Sequence, residues 1–185
     1  ECTIKGVFFE LVNAGQLSQI YATIEENNMD VVLLEKLPKI AVYSPDDKQP
    51  WDDAVTLALT YAEIEYETVF DEEVLTSKLK EYDWLHLHHE DFTGQYGKFY
   101  KSYRNANWYK QQVADFNSTA TQFGFSSVHE LKKAIAVKIK TFVSNGGFLF
   151  AMCSATDSFD IALAAVNVGI ADTPFDGTPV ESGYA

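Results

Sequence analysis

Cys153 is the residue whose surroundings point most directly to chemistry. It follows the apolar run Gly147-Phe148-Leu149-Phe150-Ala151-Met152 and precedes Ser154-Ala155-Thr156-Asp157, so it stands where a strand hands over to a helix. A sharp strand-to-helix turn crowds the positions two before and two after the turn residue, and these are the small Ala151 and Ala155. Such a turn holds its central residue in strained backbone geometry, beside the unpaired N–H groups and positive dipole end of the helix. A thiol there is expected to have a lowered pKa and to act as a nucleophile. The alternative is a buried, inert cysteine closing a packed strand, since free cysteine is among the most buried residue types.

A second constellation is His86-Leu87-His88-His89-Glu90-Asp91 at the carboxyl end of another expected strand. His86 and His88 share a face of that strand, and open parallel sheets collect ligands at their carboxyl ends. Either histidine is a candidate base for Cys153, provided that its strand lies beside the one leading to Cys153. His89, Glu90 and Asp91 are candidate binding residues, with Ser154, Thr156 and Asp157 across the turn. No metal is expected, because adjacent histidines diverge and a distant further ligand is needed. Downstream, Phe92 to Asn105 mixes glycines, aromatic residues and cations, and Tyr96 is a candidate binding residue in a loop able to close over a ligand or to pack on itself. Ser44 to Trp51 leaves a strand on the same edge; Trp51 is a candidate lining residue, while Asp46 and Asp47 read as turn or capping residues.

These groups need a frame, and the pattern supplies one. Apolar, β-branched runs alternate with helical periodicity, which predicts parallel strands joined by crossover helices. Strands are expected at Ile4–Val12, Lys39–Tyr43, Ile64–Phe70, Tyr82–Leu87 and the run before Cys153, with an ambiguous edge strand at Val31–Leu34. Helices are expected at Leu17–Glu26, from Pro50 through Tyr61, and at Glu72–Lys80, Trp108–Phe123 and Ser127–Val143, the last capped by Ser126 or Ser127. Residues 88–107 read as a long loop, and the tail from Thr173, rich in Pro, Gly and Asp, as another. The pattern predicts an α/β fold class, with parallel strands joined by crossover helices. One domain is expected over residues 1–172, incomplete at both ends, followed by a tail at 173–185.

With 185 residues, 46% hydrophobic and 22% charged, the chain can bury a sizeable core as one soluble domain. Fourteen basic against 27 acidic residues give a net charge of −13, which repels phosphate backbones and argues against nucleic acid or an anionic membrane as partner. There is no run of about 18 apolar residues, so no transmembrane helix is expected. Cys2 and Cys153 are both expected to be free thiols. Glu1 is no initiator methionine, and the opening residues read like the middle of a domain.

The segment Gly146–Asp160 resembles the class I glutamine amidotransferase-like superfamily, and Ser154-Ala155-Thr156-Asp157 is similar to the same segment of its trehalose-utilisation (ThuA-like) branch. That branch commonly carries histidine where this chain has Cys153. Lys39–Trp51, Tyr82–Tyr103 and Phe148–Ala164 resemble more closely a bacterial family labelled asparagine synthetase B. The resemblance implies a flavodoxin-like three-layer sandwich, a mostly parallel sheet with helices on both faces, together with a nucleophile elbow at Cys153 and a periplasmic or cell-envelope location. True amidotransferases pair the cysteine with a downstream histidine and glutamate, which this chain lacks, and flank it with glycines, which it also lacks. No ATP-binding signature accompanies the synthetase label, and no cofactor is expected. Two functions follow as expectations. One is a ligand-binding or assembly module of the cell envelope, with a small molecule such as a carbohydrate as ligand and a possible protein partner. The other is a cysteine-dependent hydrolase or amidotransferase.

Overall fold

The computed structural model describes residues 10–29, 37–45, 54–95 and 100–183. The chain divides into two units, Glu1–Leu37 and Pro38–Ala185. In the first, helix α1 spans Ala14–Glu26 and opens with a reciprocal cap: Asn13 Oδ1 accepts from Gln16 N at 3.0 Å, and Gln16 Oε1 accepts from Asn13 N at 2.9 Å. The expected apolar stripe is there, but Leu17, Ile20 and Tyr21 are exposed. Of the expected first strand, Leu11 and Val12 have no regular structure and residues 4–9 lie outside the described residues, as does Val31–Leu34.

The second unit holds strands β1 (Ile40–Tyr43), β2 (Tyr66–Val69), β3 (Trp84–Leu87) and β4 (Phe148–Ala151), all parallel, in the order β2-β1-β3-β4. This matches the first four places of the flavodoxin-like order, with the topological switch between β1 and β3. Helix α2 (Ala54–Tyr61) joins β1 to β2, and α3 (Asp71–Leu75) with a 3-10 turn at Lys78–Glu81 joins β2 to β3. Helices α4 (Tyr100–Tyr103), α5 (Asn107–Gln122) and α6 (Val128–Ser144) lead to β4, which is followed by α7 (Ser154–Ala164) and α8 (Thr173–Asp176).

Three expectations about elements need correction. The helix expected over Glu72–Lys80 breaks after Leu75, because the Thr76 hydroxyl bonds back to the Glu72 carbonyl at 2.9 Å and Ser77 takes a left-handed φ of 67°. The long loop contains α4, and the tail contains α8, started by Asp172 capping Thr173 N at 2.7 Å and ended by Gly177 at φ 81°. Phe175 of α8 packs on Tyr100 of α4, so neither segment is an unsupported loop.

Register assigns the two faces of the sheet. Ala41, Leu85 and Leu149 lie side by side, as do Leu87 and Ala151, and Tyr43 lies beside Val69; these face the main core with Leu131, Ile135 and Ile139 of α6. Ile40, Trp84 and Phe148, then Val42, His86 and Phe150, form the opposite face. Tyr66 also lies on that face and meets Thr60 of α2 at 3.2 Å.

The core holds an ionic cluster. Lys132 of α6 donates to Asp71 Oδ1 and Oδ2 at 2.7 and 2.9 Å and to the Tyr43 hydroxyl at 3.0 Å, while Tyr43 donates to Asp71. The side chains of Lys132 and Asp71 are only 3% and 1% exposed. The ammonium lies 4.6 Å from the Phe70 ring and 4.8 Å from that of Phe116, where aromatic faces add attraction. Burial, with the Asp71 charge beside it, pushes the Tyr43 phenol well above its ordinary pKa. Burial and the hydrogen bond to Glu67 push Tyr82 the same way.

Removing one ion strands the other in a dry core, so Asp71→Ala should lower the unfolding free energy by about 3–5 kcal/mol in urea titrations. The double change Asp71→Leu with Lys132→Met should recover most of that loss. Alkaline stability follows from the raised phenols. The folded state keeps protons that the unfolded chain releases above pH about 10, so the contribution of these phenols is constant below that pH and stability falls above it. The fall should be about 1.4 kcal/mol per pH unit for each such tyrosine. Stability curves against pH should be shallower for Tyr43→Phe.

Candidate functional site

The carboxyl ends of β1, β3 and β4 form one edge of the sheet, and the histidine run and Cys153 both lie on it. β4 ends at Ala151, and the chain turns through Met152 and Cys153 into α7, with Ala155 fully buried beneath the turn. Cys153 is a free, exposed thiol with φ 55° and ψ −143°, a backbone conformation that strains any residue with a Cβ. The exposure excludes the reading of a buried, inert cysteine.

The turn is held from both sides by main-chain bonds to the β3 end. Met152 N donates to Leu87 O at 3.0 Å and Ala155 N to His88 O at 3.3 Å. Helix α7 then binds the next two carbonyls through side chains: Ser154 Oγ donates to His89 O at 3.0 Å and Ser158 Oγ to Glu90 O at 2.8 Å. Three successive carbonyls of the histidine run are thus satisfied by the first turns of α7, which fixes the run against the Cys153 turn. Ser154 therefore positions the loop with its hydroxyl. Thr156 and Asp157 are exposed in the first turn of α7, where a carboxylate suits the helix dipole.

β3 lies beside β4, so the condition for a histidine near the thiol is met at the level of strand order. The two candidate bases are placed differently. His86 is buried, in register with Phe150 three residues before Cys153, and stacks on that ring at 5.2 Å. His88 lies just past the strand, its own carbonyl bonded to Ala155 N. Its Nδ1 is 2.8 Å from Nδ1 of the exposed His89, so one ring must donate and the other accept, and the pair shares a single proton along that bond. Glu90 accepts from His88 N at 3.0 Å and its charge also reaches the Tyr43 phenol, which ties the edge to the buried ionic cluster.

Asp91 accepts from Thr93 N and Thr93 Oγ1 at 2.7 and 2.6 Å, an Asx turn that ends the run. Beyond it the loop is clamped by groups the sequence reading did not single out. The buried His129 of α6 donates through Nδ1 to Thr93 O at 2.6 Å, and Gln95 Nε2 donates to Ile170 O at 2.8 Å. Gly94 has φ 71°, and a Cβ there would fall 2.6 Å from the His129 Cα. Lys132 and Asp71 were also missed, although a signal existed: Lys132 is three, four and seven residues from Ile135, Ala136 and Ile139, which places it on the buried stripe of α6.

Trp51 and Tyr96 lie outside the described residues, as do Cys2, Asp46 and Asp47. Among the described residues, no three of His, Cys, Asp and Glu are arranged to hold a metal ion, and no helix is long and apolar enough to cross a membrane. Compared with protein families, with curated proteins and with solved structures, the chain finds no match.

The strain at Cys153 has a measurable sign. Glycine adopts this conformation freely, so Cys153→Gly should stabilise the fold by about 1 kcal/mol after the extra chain entropy of glycine is subtracted. Urea unfolding of the two proteins checks this.

Proposed function

We propose that this chain is a glutamine amidotransferase-like α/β domain that binds a small-molecule ligand at the carboxyl edge of its sheet, as a ligand-binding or assembly module of the bacterial cell envelope. The observation that carries the reading is the exposed, strained Cys153 held against the histidine run by bonds from both sides. Strain of this kind persists only where surrounding contacts over-determine it, and it clusters at binding and catalytic sites. The site also lies beyond the carboxyl ends of parallel strands, where open α/β sheets bind ligands. Cell-envelope location, a protein partner and a carbohydrate as the ligand class rest on the resemblance of the sequence. The polar rim of His88, His89, Thr156 and Asp157 suits hydroxyl-rich ligands.

A second reading, a thiol-dependent hydrolase or amidotransferase, is favoured by one specific observation. The positive φ of Cys153 between a strand and a helix is what a nucleophile elbow requires. In that reading His88, better placed than His86, takes the thiol proton as Cys153 Sγ attacks an amide carbon and the N–H of Ser154 helps hold the oxyanion. The C–N bond then breaks, the amine leaves with that proton, and water hydrolyses the thioester.

Cys153→Ala separates the two. The binding reading expects saturable binding of neutral oligosaccharides in calorimetry, changed less than about threefold by the substitution. The catalytic reading expects hydrolysis of activated esters or glutaminyl amides, lost by at least about 100-fold in the variant with its fold intact. Alkylation of Cys153 by iodoacetamide across pH, with Cys2 replaced by serine, adds an independent test. Half-maximal reactivity well below pH about 8.5 supports the catalytic reading, and a titration near that value opposes it.

A further inference from the structure

The amino ends of β3 and β4 frame a cavity of about 480 Å³, a volume within the range of small-molecule sites. It lies between the 3-10 turn at Lys78–Glu81, which feeds β3, and the last turns of α6, which feed β4. The strands are parallel, so the cavity is at the opposite end of the sheet from Cys153 and independent of that edge.

The floor is apolar. Val74, Leu79 and Phe142 line it, and all three are buried. A Cβ at Gly147 would fall 2.3 Å from the Phe142 ring, so glycine at this position is what lets the ring lie against the entry to β4. The rim carries Ser77, Lys80, Lys138 and Asn145. Lys138 Nζ donates to Ser77 Oγ at 3.2 Å, so this side chain reaches from α6 to the turn after α3, and the Ser77 hydroxyl keeps its own proton to donate. Ser77 holds its position at a left-handed φ of 67°.

These cations have no anion. Among the described residues, neither Lys80 nor Lys138 has a carboxylate within 4.0 Å, although the chain carries a net charge of −13. Asp83, the one acid among the described lining residues, accepts from Lys39 N at 2.8 Å. Lysines near the end of a helix often answer its last carbonyls. In α6 those carbonyls are already bonded. Lys140 O accepts from Ser144 Oγ at 2.9 Å, Thr141 O from Asn145 N at 3.1 Å, Phe142 O from Gly147 N at 3.1 Å and Val143 O from Gly146 N at 3.0 Å.

We infer that this cavity binds a small phosphate monoester, with an apolar body on Leu79 and Phe142 and the phosphate held by Lys80, Lys138 and Ser77. Two ammonium groups match the nearly double charge of such a phosphate at neutral pH, and a hydroxyl adds a directed donor. The net charge of the chain works against an anion at long range, so affinity rests on these contacts and is modest.

Titration of isotope-labelled protein with phenyl phosphate, followed amide by amide in heteronuclear NMR spectra, tests this. The amides of Ser77, Lys80, Gly146 and Gly147 should shift together and saturate with a dissociation constant of about 1 mM. Inorganic phosphate, which lacks the body, and benzyl alcohol, which lacks the charge, should each bind at least about fivefold more weakly. Lys80 and Lys138 are exposed, so Lys80→Gln combined with Lys138→Gln should leave the urea midpoint unchanged and weaken phenyl phosphate binding at least about tenfold. Lys140→Gln, an exposed change on the same helix outside the cavity, should leave binding as it is. No saturation by about 20 mM overturns the inference, whatever then fills the cavity. So do saturating shifts confined to other residues, such as those of the Cys153 edge, and binding that the folded double variant leaves intact.

Discussion

The pairing of Lys132 with Asp71 constrains the second unit of this protein more than any other contact. An ammonium and a carboxylate taken out of water lose several kcal/mol of hydration each, and only close, hydrogen-bonded pairing returns it. Here the ions bring together α6 and the start of α3, with Tyr43 from the end of β1 as a third member and the Phe70 and Phe116 rings around the ammonium. A slide of α6 along the sheet would break the pair, so its register is set. His129 is one turn before Lys132 on the same helix, and that register delivers its imidazole to the Thr93 carbonyl. The buried pair thereby reaches the loop that carries the histidine run.

The Cys153 turn is a consequence of satisfaction elsewhere. Leu87, His88, His89 and Glu90 each have a carbonyl to satisfy once β3 ends, and Met152, Ala155, Ser154 and Ser158 supply the four donors. Those donors cannot all reach unless the chain reverses sharply between β4 and α7. Cys153 carries the reversal at a positive φ, with the small Ala155 buried below it. The strain is local and the bonds that maintain it are spread over eight residues. This is why an exposed thiol can remain in a conformation that an isolated peptide would leave at once.

The layers follow from strand order. After β2 the chain reverses its direction across the sheet, and right-handed crossovers then place α3 and α6 on the face opposite α2. One face is closed by α6 and its neighbours, where Ala41, Leu85 and Leu149 are found. On the other, Ile40 and Val42 of β1 are buried, whereas among the described residues Phe148 and Phe150 of β4 are half exposed.

Alternation of apolar runs with helical periodicity was enough to predict a parallel α/β sheet, the strands at β1 to β4, a serine cap at residue 126 or 127, which the fold resolves to Ser127, and the meeting of strand and helix at Cys153. Those features depend on neighbours within a turn or two, and local sterics and periodicity report them faithfully. The break after Leu75, the single turns at α4 and α8, and the half exposure of Phe148 and Phe150 were not legible, because each depends on contacts from residues distant in the chain. Placing His86 beneath Phe150 and His88 at the Cys153 turn needed the β3–β4 register, which a list of histidines does not contain. Lys132 and Asp71, 61 residues apart, became a pair only when the sheet brought α6 over the ends of β1 and β2. Periodicity could mark Lys132 as buried, but only tertiary structure could name the carboxylate that makes its burial stable.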